Sequence, residues 1–581
     1  MTRIASTILL ALDLALIPCK AHGQGLAPPW AASEPVWQWD RMGSLWEAYA
    51  LKEGSLEWTG SWPKTIGEIC TTVEKLRSGS SEEANSILPL LVAECQEKSK
   101  ARPASATIDV GAYPLERRYP LGQTFETFTP GWRSLRIDPE LGETWGELPP
   151  LVKTELRYPV SPHGFVYFRL GLRRDLAAWQ GDPLGLNVPL SDKEVDLNEP
   201  SLGYFHAENE SFAFTVGRFQ VHWSPSPDFG LALSKSVPYH DGVEFMIKTP
   251  HVRYRFLLSS LNPWLEGTPA GDSSSENYPI GSEEYRQRHY ADQNQANNAH
   301  KRVYDDRIKT LIAHRLEAEL GPASLGITET EVLGGKVPDL RDGNPFAFFH
   351  NDFKDGYTNL ALSFDGSIRL PAGFSVLGEL LLDDVQYTPT EGNGGTPSLI
   401  GYQAGIRHAF TAGAWVCSQS LQAVRTDPFL YGYLLPLTTM ASRHVLTSNY
   451  YGPGDSVIVD KFVVDYPLGY LRGGDALDFW YRLEGHRGRN LDVSLGIGIL
   501  SKGAVNLYTP YTDYYASAHD SPTGTAEKEV RARVDAGYRL GHGLAVRAGL
   551  AWQSIQNEVN VSGRDAIRGQ ASLGVSWSFP H

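Results

Sequence analysis

Aromatic and amide side chains crowd the polar stretches of this sequence. Trp264, Tyr278, Tyr285, Tyr290, Tyr387, Tyr450, Tyr451, Tyr508, Tyr511 and Tyr514 stand among Asn, Gln and Asp. An aromatic face stacks on the apolar C–H face of a sugar while amides and carboxylates take its hydroxyls, so this mixture suits carbohydrate recognition. An interfacial aromatic girdle draws on the same residue types, and at strand ends it is the simpler reading. Bond-breaking chemistry has no comparable foothold. The chain has no Gly-x-Ser-x-Gly elbow, His-Glu-x-x-His, phosphate loop or Gly-x-Gly-x-x-Gly. Carboxylate pairs such as Asp305/Asp306 and Asp383/Asp384 are what any acidic chain of this size carries. No nucleophile with a base can be assembled, and no Cys/His set has zinc spacing. The expectation is a binding protein with no catalytic residues, metal or cofactor.

Composition narrows the class of molecule. Of 581 residues 41% are apolar and 20% charged, with 57 Gly, 38 Pro, 27 Tyr and 15 Trp. That content buries a core, which excludes intrinsic disorder. Past the first twenty positions no apolar run approaches the ~20 residues of a spanning helix, so a helical membrane protein is excluded as well. The formal charge of −15 disfavours a nucleic-acid partner.

The opening residues read as a Sec-type signal peptide over 1–23. Arg3 supplies the positive region, Ile4 to Ile17 an apolar run blemished by Asp13, and Ala21-His22-Gly23 a small-x-small cleavage site. Cys19 lies in a poor lipoprotein box, with Pro18 where a small residue is wanted. Residues 24–105 form a mixed, Trp-rich helical and loop segment, expected in the periplasm. Its stretch from Ile66 to Lys98 has helical periodicity broken at Ser78-Gly79-Ser80-Ser81, a hairpin across which Cys70 and Cys95 are disulfide candidates. Two buried free thiols are the alternative.

From about residue 106 to 581 the pattern changes to two-residue alternation. Val530, Ala532, Val534, Ala536, Tyr538 and Leu540 share one face of a strand, and Arg531, Arg533, Asp535 and Arg539 the other. Gly541-His542-Gly543 turns the chain, and Leu544, Val546, Ala548, Leu550 and Trp552 line the returning strand. Strands of 10–13 residues match the ~9–11 that cross a bilayer when tilted. Connections alternate between eight short turns, such as Pro371-Ala-Gly373, and long polar loops, the asymmetry of outer-membrane barrels. Eight turns join sixteen strands. A closing strand near Gln570 to Phe579 and an opening strand within 107–137 raise the number to eighteen. Sixteen or twenty stay open, because Val457-Ile-Val and Phe462-Val-Val are positioned to add a hairpin. The fold class is therefore an all-β transmembrane protein, an about 18-stranded antiparallel outer-membrane barrel with a small N-terminal helical periplasmic segment. Its partners are outer-membrane lipid and, at insertion, the barrel-assembly machinery, which reads a terminal aromatic strand such as Ala571 to Phe579. Mixed charges on the inward faces favour a cross-braced interior over a pore selective for one sign.

Three ordered segments carry a family resemblance. The first is Gly217-Arg218-Phe-Gln-Val-His-Trp223-Ser-Pro225 with Gly230-Leu-Ala-Leu-Ser234. The second is His314-Arg315-Leu-Glu317 with Thr328-Glu-Thr-Glu331 and Gly334-Gly335. The third is Asn344-Pro345, Asn359 to Asp365, and Gly378-Glu379 with Asp383-Asp384. Together they resemble the Wzi-type capsule-assembly family of outer-membrane proteins. The family's Trp-Gly-Pro is Trp223-Ser224-Pro225 here, and the Cys70/Cys95 region has no placed counterpart. The resemblance implies an eighteen-stranded barrel and a lectin-like protein that anchors exported capsular or exopolysaccharide at the surface of a Gram-negative-type outer membrane. It also implies Arg218, Trp223, Arg315, Glu317, Asp365 and Glu379 as ligand-binding positions; independently of it, the composition of the long loops makes Trp264, Tyr278, Tyr450, Tyr451 and Tyr511 candidate glycan-facing aromatics. A porin or substrate-specific channel is the rival, motivated by the charged interior of so large a barrel.

Overall fold

A computed structural model describes residues 35–36, 40–53, 63–76, 87–99, 104–115, 124–126, 132–161, 163–196, 201–262, 308–334, 337–347, 357–383, 399–432, 438–451, 458–507, 509 and 521–579. The signal-peptide reading, Cys19 included, falls outside them. Eighteen antiparallel strands close into one barrel. The first, Ala104–Ala112, pairs with the last, Ala566–Phe579, to complete the ring. The opening strand thus starts a little before the 107–137 window read from the sequence. The hairpin suggested in 426–476 does form, but outside the barrel. Ala441–Tyr451 and Ile458–Pro467 pair in a separate four-stranded sheet with Trp132–Arg136 and Thr124–Glu126.

Alternation does the sorting. Around the ring Phe168, Leu316, Ile327, Phe364, Leu380, Ile406, Leu421, Phe479, Ile499, Val534, Leu550 and Leu573 point outward and are exposed. Soluble proteins rarely show a continuous apolar belt of this extent, whereas acyl chains solvate one readily. No helix among the described residues is long and apolar enough to cross a membrane.

Three helices lie at the end that carries the short turns: α1 (Arg41–Glu53), α2 (Ile66–Leu76) and α3 (Leu88–Ser99). The start of α2 is a reciprocal capping box. The Glu68 amide donates to Thr65 Oγ1 (3.2 Å), and the Thr65 amide donates to Glu68 Oε2 (3.0 Å). Ile66, Ile69, Cys70 and Val73 then recur at helical spacing, and they pack with Leu45, Tyr49 and Leu91 into a small core. Cys70 and Cys95 are disulfide-bonded, with Cα atoms 5.7 Å apart. This helical unit meets the barrel mainly through charge. Arg41 pairs with Asp492, Glu47 with Arg407, and Glu68 with Arg253 (2.9 Å), while Lys52 Nζ donates to Thr411 Oγ1 (3.2 Å). Burial alone would raise the Glu68 carboxyl, but Arg253, Lys248 and Lys64 outweigh it and hold it down to about 2.

Long loops fill much of the remaining lumen. Residues 220–239 turn inward and bury Trp223, Leu231 and Leu233. A short helix, α4 (Pro139–Glu147), is capped by Asp138, whose Oδ1 accepts from the Glu140 amide (2.8 Å).

Candidate functional site

The two sides of the lumen differ in kind. On the side built by Lys309–Leu320, Ala323–Gly334, Tyr357–Leu370 and Phe374–Asp383, Arg315, Glu317, Asp365 and Glu379 engage one another, their neighbours and the inward loop. Arg315 grips Asp365 with both terminal nitrogens (2.5 and 2.9 Å), and donates to Glu317 (2.6 Å) and Thr328 (2.7 Å). This is a buried bidentate pair of the strong, planar kind. Glu379 accepts from Ser224 Oγ (2.8 Å), the Leu231 and Ala232 amides (3.1 and 3.0 Å), Gln403 (2.6 Å) and Ser363 (3.2 Å). It therefore ties the inward loop to the wall. Trp223 is packed in the same region at 2% exposure.

Arg218 stands elsewhere. It faces outward, forked onto Asp241 (2.8 and 2.9 Å), with its guanidinium 3.9 Å from the Tyr239 ring centroid. The structure thus brings five of the six family-motif positions to one braced side and leaves Arg218 outside it. Tyr450 and Tyr451 end the strand Ala441–Tyr451, opposite Val459 and Ile458. Trp264, Tyr278 and Tyr511 lie outside the described residues.

The opposite wall is hollow, and the register shows why. Across Ala476–Arg487, Leu491–Lys502, Glu527–Gly541, Leu544–Gln556 and Ala566–Phe579, inward residues align in rows. One row is Trp480, Gly498, Arg531, Gln553 and Arg568. The next is Arg482, Gly496, Arg533, Ala551 and Gln570. Then come Glu484, Ser494, Asp535, Gly549 and Ser572, and finally His486, Asp492, Gly537, Arg547 and Gly574. Small residues recur in every row, so no side chain fills the centre. A cavity of about 720 Å³ results, following the wall from Gln553 and Arg568 to Asp492 and Gly537. Three steps of two residues give it a length of about 20 Å.

Trp480 forms part of its floor. A Cβ on Gly498 would fall 2.5 Å from Trp480 Cε3 and 2.9 Å from Arg531 Nε, and one on Gly496 would also strike the ring. The indole therefore lies flat over two glycines, half-buried, with the Arg531 guanidinium 4.9 Å from its centroid. Asp478 holds that arginine (2.8 and 2.9 Å) and accepts from Tyr470 Oη (2.8 Å). Arg533 gives only Nε to Asp535 (2.7 Å), and Arg547 reaches Asp109 at 3.4 Å, so both keep N–H groups directed at the cavity. Glu140, Glu143 and Glu147 of α4 contribute carboxyls. Burial, reinforced by Glu147 and Glu140, pushes the Glu143 carboxyl well above its ordinary value. At the short-turn end Arg41 and Ser44 of α1 close the cavity, and Ser44 Oγ donates to Glu484 Oε2 (3.0 Å). An aromatic face, open guanidinium forks and amides along a groove suit a long polyhydroxylated ligand. None of the six motif positions lines it. The sequence did hold a signal for this wall: Leu495-Gly-Ile-Gly-Ile499 sets bulk outward and nothing inward.

No family model and no curated relative matches the sequence. Among solved structures the chain is similar to Wzi of Escherichia coli, an outer membrane protein involved in group 1 capsule assembly, described as a carbohydrate-binding β-barrel. Identity is 13%, coverage is 93% of this chain and 98% of that one, and the TM-score is 0.53. Acinetobacter baumannii OccAB3 (12% identity, 82% of this chain and 99% of that one, TM-score 0.36) and Pseudomonas aeruginosa OprD (12%, 74% and 88%, 0.33) are more remote. At such identity the likeness to Wzi concerns the fold alone, a closed eighteen-stranded barrel like those of Gram-negative outer membranes.

Proposed function

We propose that this chain is a Wzi-like, non-enzymatic outer-membrane protein that binds surface polysaccharide, exported by its signal peptide and inserted by the barrel-assembly machinery. The observation that carries the reading is the hollow wall. A polymer segment lying along its rows meets Trp480 for stacking, Arg533 and Arg547 for charged or hydroxyl groups, and Gln553 and Gln570 for hydrogen bonds. Each contact is weak, and a repeating polymer adds them up. The ordered sequence motifs support the same family, with Arg315, Glu317, Asp365 and Glu379 serving as the bracing that keeps the opposite side rigid. Purified protein should co-sediment with capsular or exopolysaccharide and show hits on a glycan array. A folded barrel that retains no polysaccharide in either assay refutes the proposal.

One observation favours a second reading, a substrate-specific channel: the cavity follows about 20 Å of tilted wall, roughly half the height of the apolar belt. Planar-bilayer recordings separate the two. Steady open steps support the channel, and silence supports an anchor closed by its helical unit.

A further inference from the structure

The ring closes along only part of its last strand. Residues 573–579 pair with 106–112, whereas the other flank of the same strand is laddered over 566–577. Residues 566–572 therefore have no strand beside them at the seam among the described residues. Backbone alternation identifies the groups left over. The Ser578 amide donates to the Gly543 carbonyl (3.0 Å), so even-numbered residues of this strand bond toward Leu544–Gln556 and odd-numbered ones face the seam. Lower down, Leu573, Val575 and Trp577 meet Ala112, Val110 and Ile108 there. Higher up, the N–H and C=O of Ile567 and Ala571 find no partner among the described residues.

The first strand stops for a local reason. Continued in register, Pro114 would stand opposite Ala571, and it has no N–H to give. Tyr113 turns the chain inward instead. Its amide donates to the Gly185 carbonyl and its own carbonyl accepts from Trp179 Nε1, both at 2.8 Å. Its ring packs on Gly111 and Gly574, and its Oη donates to Asp109 (2.8 Å). Leu115 then joins the inner core.

The gap lies within the apolar belt, at the long-loop end. Ile567 is in line with Phe479, Ile499 and Val530, and it is 78% exposed against their 42–56%, as befits a residue with a neighbouring strand on one side only. Ala571 is in line with Leu550 and Val534. Six residue steps make the gap about 20 Å long. An open sheet edge is not tolerated against acyl chains, but it is where the backbone borders a water-filled cavity. The hollow wall supplies that cavity. Gln570 and Ser572 line it from the inner face of the last strand, and Pro114, Leu148 and Pro149 line it from beyond the seam. We propose that the gap is a side entrance from the outer leaflet, through which a lipid-anchored glycan places its sugars in the cavity while its acyl chains stay in the bilayer. The inference rests on the cavity being a glycan site, and it adds the class of glycan, one that carries its own lipid.

Photo-crosslinking tests it on the full chain. The probe is deep-rough lipopolysaccharide, whose few sugars lie next to its lipid, in phosphatidylethanolamine vesicles. Photoreactive p-benzoylphenylalanine replaces either Ser572, beside the gap, or Ser494, in the same inward row three strands away. Heat-modifiable gel migration verifies folding. Irradiation should couple lipopolysaccharide several-fold more to the Ser572 variant than to the Ser494 variant. Coupling that is absent from folded barrels, or no greater at Ser572, overturns the proposal. If the Ser572 variant does not fold, Gln553 is replaced and read by the same criterion. Co-sedimentation of lipid-free polysaccharide with the same preparations separates the two readings. Retention without coupling sinks the side entrance alone, and loss of both sinks the glycan site with it.

Discussion

Gly498 lets the hollow wall hold its aromatic platform, and a single methyl should remove it. In Gly498→Ala the new Cβ meets Trp480 Cε3 at 2.5 Å and Arg531 Nε at 2.9 Å, both well inside van der Waals contact. The strand backbone cannot retreat, because Gly498 is laddered on both sides, to Trp480 and to Arg531. The indole must therefore tilt off the floor, and overpacking of this kind costs roughly 1–3 kcal/mol of stability. A tilted ring no longer offers its face. If stacking contributes about 0.5–1.5 kcal/mol, polysaccharide affinity should fall about two- to twelve-fold. Gly569→Ala is the control, since a Cβ there meets nothing within 4 Å. Calorimetric titration with polysaccharide fragments, alongside thermal unfolding in detergent, measures both quantities. A folded Gly498→Ala barrel that binds like wild type refutes the assignment of Trp480 as a platform. So does a Gly569→Ala variant that loses as much affinity.

Two further outcomes follow from charge. Arg315→Met leaves Asp365 and Glu317 buried without their guanidinium, which should cost roughly 3–5 kcal/mol and appear as a lowered unfolding midpoint in urea. Arg315→Lys keeps the charge but not the fork and should fall between. The helical unit should loosen in acid. Because the Glu68 carboxyl is held at about 2, below its ordinary 4.5, its contribution is fully present above that ordinary value and is lost as pH falls through about 2. It amounts to at most roughly 3 kcal/mol. Hydrogen-exchange protection in α2, corrected for the intrinsic rate at each pH, should fall toward pH 2, and Glu68→Gln should reproduce that loss of protection at pH 7.

The barrel was legible because strand geometry writes itself into sequence with a period of two. Short turns such as Gly541-His-Gly543 also admit little besides a hairpin. Parity then supplied the strand number without any knowledge of pairing. The extra hairpin at 441–467 is what kept sixteen or twenty open, since alternation says that a strand exists but not which sheet it joins. The hollow wall was written less plainly. Gly496, Gly498 and Gly549 leave room only in combination, and aligning their strands needs a register that no single strand contains. Motif spacing located Arg315, Asp365 and Glu379 as distinctive residues, but their partners come from distant strands and the inward loop. Whether they touch a ligand or one another was not visible until those met.

The strand Ala104–Ala112, which completes the ring against Ala566–Phe579, begins only five positions after α3 ends at Ser99. Even fully stretched, that tether spans about 17 Å. Whatever rearrangement the helices undergo, they stay moored beside the seam, able to swing in the mouth but not to drift away. The joint on which the cylinder depends is also its shortest ladder on one flank, where Ala104–Ile108 alone meets Val152–Leu156. Pulling on the stopper thus loads the zipper, and a force strong enough to withdraw the first would begin to undo the second.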